Sequence, residues 1–186
     1  MNKTQAKSKY VTGNTSIMGN VPDMDGVTHI DIHSMGRTEL GKLLSHFAHL
    51  PFTHPYFGPF YSMEGFWYYA RCGFNETLAY KLRYLSGFRA KKVGIDFKMI
   101  KYDDFQQDII AANYQKIIQN DHLRELMINS DLPFDHYYTF KEGGRVVTPR
   151  EADWLIQGFE DIRFALKEGV VPSVWLEAEK RYLEKK

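Results

Sequence analysis

The stretch LSHFAHLPFTHPYFGPFYSMEGFWYYAR, which runs from Leu44 to Arg71, decides the fold because it joins an aromatic loop directly to the start of a helix. Its first half excludes a continuous helix because it contains three prolines, Pro51, Pro55 and Pro59. Ser62 then predicts an N-cap, and residues 63–71 are predicted to form a helix that ends at Cys72-Gly73. Glu64 is therefore placed in the first turn of a helix, beneath a loop rich in Phe, Tyr and His.

Two interpretations of Glu64 follow from this placement. A carboxylate in the first turn of a helix gains a few tenths to about 1 kcal/mol from the helix dipole, which would make Glu64 a structural residue. Alternatively, an acid flanked by aromatic side chains could hold a sugar and a flat base, which would make Glu64 a functional residue. The local sequence leaves both interpretations open.

Length and composition indicate one ordinary globular domain with an unusual share of aromatic residues. A chain of 186 residues is long enough to bury a substantial core. Aromatic residues make up 15% of the chain, which predicts an aromatic core, a stacking site or both. The net charge of +1 argues against a protein that coats nucleic acid by bulk electrostatics.

The cysteine content and the hydropathy pattern predict a cytoplasmic protein. The single cysteine, Cys72, excludes an internal disulfide and suits a reducing compartment. No apolar run reaches the roughly 18 residues that a membrane-spanning helix needs, and no signal-peptide pattern opens the sequence. We therefore expect no membrane association.

Periodicity and capping signals predict a mostly helical α+β fold with six or so helices and two or three short strands. Residues 1–26 are predicted to form a flexible tail and residues 27–186 a single domain, in which residues 28–34 alternate like a half-buried strand. Helices are predicted over residues 63–71, 75–85, 88–93 and 104–118, and from Asp121, Thr148 and Pro172 onward.

Two local signals define the C-terminal part of this prediction. Gly143-Gly144 marks a turn, so that residues 137–140 and 145–147 could pair as a hairpin. Thr148-Pro149-Arg150-Glu151 has the pattern of a capping box, with Pro at the first helical position.

Several side-chain constellations bear on function. Seven basic residues stand against the single acid Asp96 between residues 81 and 101, and they form either a solvated helix face or a phosphate clamp (Lys81, Arg83, Arg89, Lys91, Lys92, Lys98 and Lys101). His46, His49 and His54 do not predict a metal site, because the intervening prolines break a shared helix face. Cys72 lies at a helix end, where the dipole disfavours a thiolate. No nucleophile elbow, P-loop or dinucleotide fingerprint is present, so we expect no cofactor.

Four segments occur in an order that is informative as a set. They are Ser45-His46-Phe47, Ser62-Met63-Glu64-Gly65, residues 82–94 (LRYLSGFRAKKVG), and Asn113-Tyr114 followed by Gln119-Asn120 and Leu123. In this order the chain resembles the NADAR superfamily of YbiA-like domains, which are linked to NAD and ADP-ribose metabolism. The pattern of that family has an S-N-F motif, a T-S-E-H-like helix start, an I-R-x-x-x-S-x-x-A-K-x-x-G-like run and a K-F-x-Q-N-x-x-L segment. Residues 159–163 loosely match the closing L-M-x-x-R-like helix of the family. The resemblance therefore covers residues 28–166.

The resemblance implies a compact YbiA-like α+β domain with N-glycosidase chemistry. Its substrate would be an ADP-ribosylated guanine, or a riboflavin-pathway intermediate that carries a ribosyl phosphate. Glu64 falls on the acidic position of the family, and Lys91 and Lys92 fall near its basic run. We expect catalytic roles for Glu64, Asp135 and His136. Substrate-binding roles are expected for a larger set, namely Ser45, His46, Phe47, Trp67, Arg89, Lys91, Lys92, Asn120 and Tyr137.

Two departures from the family pattern keep other functions open. His46 replaces the Asn of S-N-F, and the D-x-x-W-G segment is missing, so that Asp135 or His136 would take its polar role and Tyr137 or Tyr138 its stacking role. A diverged, non-catalytic domain that binds ADP-ribose or a nucleotide is the main alternative, and a structural or interaction protein is the third. The partners we expect are a small nucleotide or an ADP-ribosylated nucleic acid or base. The variant pattern suggests a phage or bacterial protein, and the sequence predicts no oligomeric state.

Overall fold

The computed structural model describes residues 24–139, 146–147 and 153–184, and in this part of the chain it confirms a mostly helical α+β fold. The helices are α1 Glu39–Leu44, α2 Met63–Arg71, α3 Glu76–Arg83, α4 Gly87–Gly94, α5 Phe105–Ile118, α6 Asp121–Ile128, α7 Asp153–Lys167 and α8 Ser173–Glu184. The strands are β1 Ile30–Asp31, β2 Phe52–His54, β3 Gly58–Phe60, β4 Phe134–Asp135, β5 Tyr138–Thr139 and β6 Val146–Val147. No described helix meets the length and hydropathy that a bilayer crossing requires.

The strands form three separate pairs of two or three residues each, which is more strands than the sequence predicted. β1 pairs in parallel with β4, so that Ile30 lies opposite Phe134 and Asp31 opposite Asp135. β2 and β3 form an antiparallel hairpin within the aromatic loop, where Gly58 has a positive φ of 77°. The predicted hairpin near residues 137–147 is confirmed as the pairing of β5 with β6.

Local capping explains where the helices around the aromatic loop begin. The Ser62 hydroxyl accepts a hydrogen bond from the Gly65 amide (3.2 Å), and the Asn75 side chain accepts from the amides of the next helix, so both predicted N-caps are confirmed. Asp121 is not a cap but the first residue of α6, since Asn120 occupies the N-cap position. The predicted capping box at residues 148–151 lies outside the described residues.

The N-terminal boundary differs from the prediction at its last residues. The tail predicted over residues 1–26 lies outside the described residues as far as residue 23. Asp25, however, is buried, and its carboxylate accepts hydrogen bonds from the amides of Asp31 (3.0 Å) and Arg37 (2.5 Å). Residues 24–26 therefore pack against β1.

Helix α5 lies between two hydrophobic clusters and contributes to both. Ile109 and Ala112 belong to a cluster formed with α2, α3 and the β2–β3 hairpin. Ile110, Ala111 and Ile117 belong to a second cluster formed with β1, β4, α1, α6, α7 and α8. A helix that is buried on both sides in this way is expected to be apolar around most of its circumference.

Two glycines allow α3 and α4 to approach α2 closely. A Cβ atom at Gly65 would lie 2.5 Å from the carbonyl oxygen of Leu82 on α3. A Cβ atom at Gly94 would lie 2.0 Å from the ring of Tyr68, which would push α4 away from α2. The absence of these side chains brings the basic helix α4 alongside the helix that carries Glu64.

Candidate functional site

Glu64 is a buried acid in the first turn of α2. Its backbone amide donates a hydrogen bond to the carbonyl oxygen of His46 (2.8 Å), which fastens the 45–47 loop to the start of the helix. Burial raises the pKa of the Glu64 carboxyl to about 7, and the positive charges of Lys91 and Arg71 oppose that rise. Among the described residues, no side chain donates a hydrogen bond to this carboxylate. Glu64 is therefore not an exposed group that merely neutralises a helix terminus.

Lys116 of α5 binds the backbone at the start of the 45–47 loop. The Lys116 side chain is completely buried, and its ammonium group donates to the carbonyl oxygens of Leu44 and Ser45, both at 3.2 Å. Burial lowers the pKa of Lys116 to about 7. The Ser45 hydroxyl in turn accepts from the Phe47 amide (3.2 Å), so that Ser45 shapes the loop through backbone contacts. No motif or spacing in the sequence points to Lys116.

His46 lies between α2 and α5. Its Nε2 atom is 3.2 Å from Nδ2 of Asn113, and its ring centroid is 5.4 Å from that of Trp67. Burial lowers the pKa of His46 to about 3, and the charge of Lys116, with that of His136 when it is protonated, acts in the same direction. His46 is therefore a neutral imidazole at ordinary pH, and Trp67 forms a wall beside it.

The predicted basic segment divides into structural and site-facing residues. Arg83 is structural, because it pairs with Glu76 (3.3 Å), donates to the Phe57 carbonyl and lies over the Phe60 ring. Lys91 faces the site: its ammonium lies 5.9 Å from the Phe47 ring centroid, and its charge acts on Glu64. Arg89 and Lys92 are exposed on the same helix.

Exposed aromatic rings continue the surface next to Lys91. Phe88 is 78% exposed and meets the Phe47 ring edge-on at 5.1 Å. Tyr61, which precedes the Ser62 cap, contacts the rings of His49 and Tyr84 at 5.2 and 5.3 Å. Because these rings are already exposed, a flat ligand could stack on them without any change in the core.

The segment after β4 differs from its predicted roles. Both ring nitrogens of His136 lie within hydrogen-bond distance of protein atoms: Nδ1 is 2.7 Å from the Ile32 carbonyl, and Nε2 is 3.2 Å from the Tyr138 hydroxyl. Burial lowers the pKa of His136. Asp135 is buried, and its carboxylate accepts from the His136 amide (2.8 Å). The two residues are thus committed to the structure of this segment.

Tyr138 rather than Tyr137 is the aromatic residue of this segment that approaches Glu64. Tyr137 is buried, and its hydroxyl lies 2.8 Å from Nε2 of His29, so its ring is not available for stacking on a ligand. Tyr138 is 37% exposed, and its pKa is raised by burial and by the charge of Glu64. Its ring also meets the rings of His33 and His136 edge-on.

Asn120 lies apart from this group. Its side chain donates to the carbonyls of Lys116 (2.6 Å) and Pro51 (3.4 Å), which ties the junction of α5 and α6 to the aromatic loop. Asn120 is therefore placed as a structural residue two helical turns beyond Asn113, which contacts His46. The predicted binding role of Asn120 has no geometric support.

A small cavity lies further along α2. It has a volume of about 30 Å³ and is lined by Tyr68, Arg71, Cys72, Gly94, Ile95 and Phe97. Glu64 is not part of its lining, which includes Tyr68, one turn later on the same helix face. Burial raises the pKa of the Cys72 thiol, which disfavours a nucleophilic thiolate there.

The residues that surround Glu64, which we call the Glu64 site, come from five parts of the chain. They are Glu64 and Trp67 on α2, the 45–47 loop, Lys91 on α4, Asn113 and Lys116 on α5, and His136 and Tyr138 after β4. Within the described ranges, no group of three or more His, Cys, Asp or Glu side chains is arranged to hold a metal ion. Comparison of the chain with protein-family models, with curated proteins and with solved structures finds no match. The chemistry of the Glu64 site therefore has to be argued from its own geometry.

Proposed function

We propose that the chain is an N-glycosidase-like hydrolase that acts on an ADP-ribosylated or ribosyl-phosphate-bearing base. The observation that carries this proposal is the burial of Glu64 beside Lys91 and the 45–47 loop, with a pKa of about 7. The resemblance of four ordered segments to the NADAR superfamily supports the same reaction class.

Glu64 has the properties that cleavage of an N-glycosidic bond requires. Breaking the bond between the base and the ribose builds positive charge on the sugar, as in other glycoside hydrolyses. A carboxylate can stabilise that charge or take a proton from the attacking water, and the protonated form can deliver a proton to the leaving base. Because its pKa is near 7, Glu64 exists in both forms at neutral pH. The oxygen of water is bonded to the sugar in the product, and the base leaves with a proton.

The surroundings of Glu64 suit the remaining parts of such a substrate. Lys91, with the exposed Arg89 and Lys92 on the same helix, supplies positive charge for a phosphate or pyrophosphate. The rings of Phe47 and Phe88 supply a face on which a base can stack.

A non-catalytic binder of ADP-ribose or a nucleotide is the second candidate, and one observation favours it. Of the three residues predicted to be catalytic, His136 and Asp135 are committed to their own segment, whereas no described side chain donates a hydrogen bond to the Glu64 carboxylate. A site with one acid and no second group could retain binding and lack turnover.

Turnover of ADP-ribosylated guanosine, followed by mass spectrometry, tests the proposed reaction. The wild-type chain should release ADP-ribose, and Glu64→Gln should lower the rate at least about 100-fold, the lower range for loss of a general acid or base. Glu39→Gln is the matched control, because Glu39 also lies in a first helical turn but is exposed. Equal rates for Glu64→Gln and the wild type would contradict the proposal.

Calorimetric titration with ADP-ribose separates the two candidates. Binding without release of product would establish the non-catalytic alternative. Absence of both binding and turnover would reject both candidates and leave a structural or interaction protein.

A further inference from the structure

Asn113 lies in the middle of α5, and its side chain is completely buried. Its Nδ2 atom lies 3.0 Å from the carbonyl oxygen of Ile109, one turn earlier on the same helix. Because a carbonyl oxygen can only accept, the atom that faces it must be the amide nitrogen and not the amide oxygen. The Ile109 carbonyl therefore fixes the orientation of the Asn113 amide.

The second hydrogen of this amide nitrogen determines the state of His46. Nδ2 of Asn113 lies 3.2 Å from Nε2 of His46, so Nε2 faces a donor and must carry a lone pair. A neutral imidazole with an unprotonated Nε2 has its proton on Nδ1. An imidazolium ring would set two N–H groups against each other across this contact.

We propose that Asn113 is a positioning residue that holds His46 in the Nδ1–H tautomer, so that His46 offers the Glu64 site a neutral hydrogen-bond donor. Its ligand is a ribose oxygen of the substrate. The identity of the substrate rests on the proposed function, whereas the tautomer stands on the contacts of Asn113 alone.

The position of His46 makes such a donor available. No described residue accepts a hydrogen bond from Nδ1 of His46, and the residue is only partly buried. The His46 carbonyl accepts the Glu64 amide, so the imidazole and the acid belong to one rigid junction. The Oδ1 atom of Asn113 is buried and has no described hydrogen-bond partner. The contacts of Nδ2 with Ile109 and His46 therefore set the orientation of the amide.

The groups around His46 keep the ring neutral. Lys116 on α5 and His136 after β4 face it with positive or potentially positive charge. From α2 the Trp67 ring lies beside it, while the Glu64 amide donates to the backbone carbonyl of His46. Burial and these neighbours lower its pKa to about 3. The donor should therefore persist at neutral pH, where Glu64 changes its protonation state.

Nitrogen NMR of protein labelled with ¹⁵N-histidine tests the tautomer without any substrate. The wild-type spectrum should show a protonated Nδ1 and an unprotonated Nε2 for His46, and Asn113→Asp should move the proton to Nε2 because the new carboxylate accepts there. Asn120→Asp is the matched control: Asn120 also donates to the carbonyl one turn earlier, and its replacement should leave the His46 signals unchanged. A protonated Nε2 in the wild type would overturn the proposal even if Asn113→Asp failed to fold.

Two substitutions of His46 then test the donor role by calorimetry with ADP-ribose. The amide nitrogen of His46→Asn can occupy the place of Nδ1, whereas that of His46→Gln can occupy only the place of Nε2. Affinity should stay within about threefold for His46→Asn and fall about fivefold or more for His46→Gln, the effect of one lost hydrogen bond. Equal affinities would overturn the donor role. If the wild type does not bind ADP-ribose, the proposed function and the donor role fail, and the NMR spectrum still decides the role of Asn113.

Discussion

At the scale of single residues, the protonation of Glu64 should be visible in the stability of the protein. Its pKa is about 7 in the folded chain and 4.5 in the unfolded chain. The native state thus holds this proton more tightly, and the contribution of Glu64 to the free energy of unfolding should fall as the pH rises from about 4.5 to about 7. The loss attributable to Glu64 is up to about 3 kcal/mol.

Urea unfolding at pH 4.5, 6 and 8 measures this dependence. Between pH 4.5 and pH 8 the wild type should lose stability relative to Glu64→Gln, because glutamine does not titrate. The wild-type curve itself sums opposing contributions, since burial raises the pKa of Asp31 to about 7 and lowers that of His46 to about 3. An identical slope in wild type and variant would show that Glu64 is ionised normally.

Lys116 gives a second prediction at this scale. Lys116→Met keeps most of the side-chain volume but leaves the carbonyls of Leu44 and Ser45 without their donor, and we expect a loss of about 1–3 kcal/mol in unfolding free energy. Lys42→Met, which removes an exposed lysine from the last turn of α1, should change stability by less than about 0.5 kcal/mol. Equal effects of the two substitutions would contradict a specific role for the buried lysine.

At the scale of the elements, the packing of α4 on α2 depends on Gly94. Gly94→Ala should lower the unfolding free energy by about 1–3 kcal/mol, because the new methyl group would collide with the Tyr68 ring. The penalty should shrink in a Tyr68→Ala background, where the collision is removed. A double-mutant cycle by urea unfolding measures this coupling, and simple additivity would contradict it.

Local chemistry explains which elements the sequence could predict. Ser62 and Asn75 cap their helices with their own side chains, so a local signal in the sequence marks the starts of α2 and α3. The pairing of β1 with β4 depends instead on contacts between residues about a hundred positions apart, which no local pattern encodes.

The same distinction applies to the site. Glu64 and the 45–47 loop were predictable because they belong to one continuous stretch. Lys116 was missed, and Asn113 was named only in the fourth segment of the resemblance and given no role, because the roles of both depend on that loop crossing α5. The available signal was three polar residues, Asn113, Gln115 and Lys116, within a helix segment that is otherwise apolar or aromatic, from Ile109 to Ile117.

At the scale of the whole molecule, a buried ionic network attaches the C-terminal helix α8 to α5. The Asp108 carboxylate accepts from the Arg181 guanidinium and from the Tyr182 hydroxyl, both at 2.8 Å. Asp108→Asn should cost about 2 kcal/mol and raise the amide hydrogen-exchange rates of α8. Asp104→Asn, at a partly exposed contact of the same arginine, should cost less than about 1 kcal/mol. Unchanged exchange in α8 after Asp108→Asn would contradict this account.

The position of α5 between the two hydrophobic clusters also bears on how the molecule melts. If either cluster unfolds, one side of α5 loses its packing partners. The two clusters should therefore unfold together. The protein should therefore give one endotherm in scanning calorimetry, with equal calorimetric and van't Hoff enthalpies. A destabilising substitution anywhere along α5 should therefore lower the stability of both clusters together.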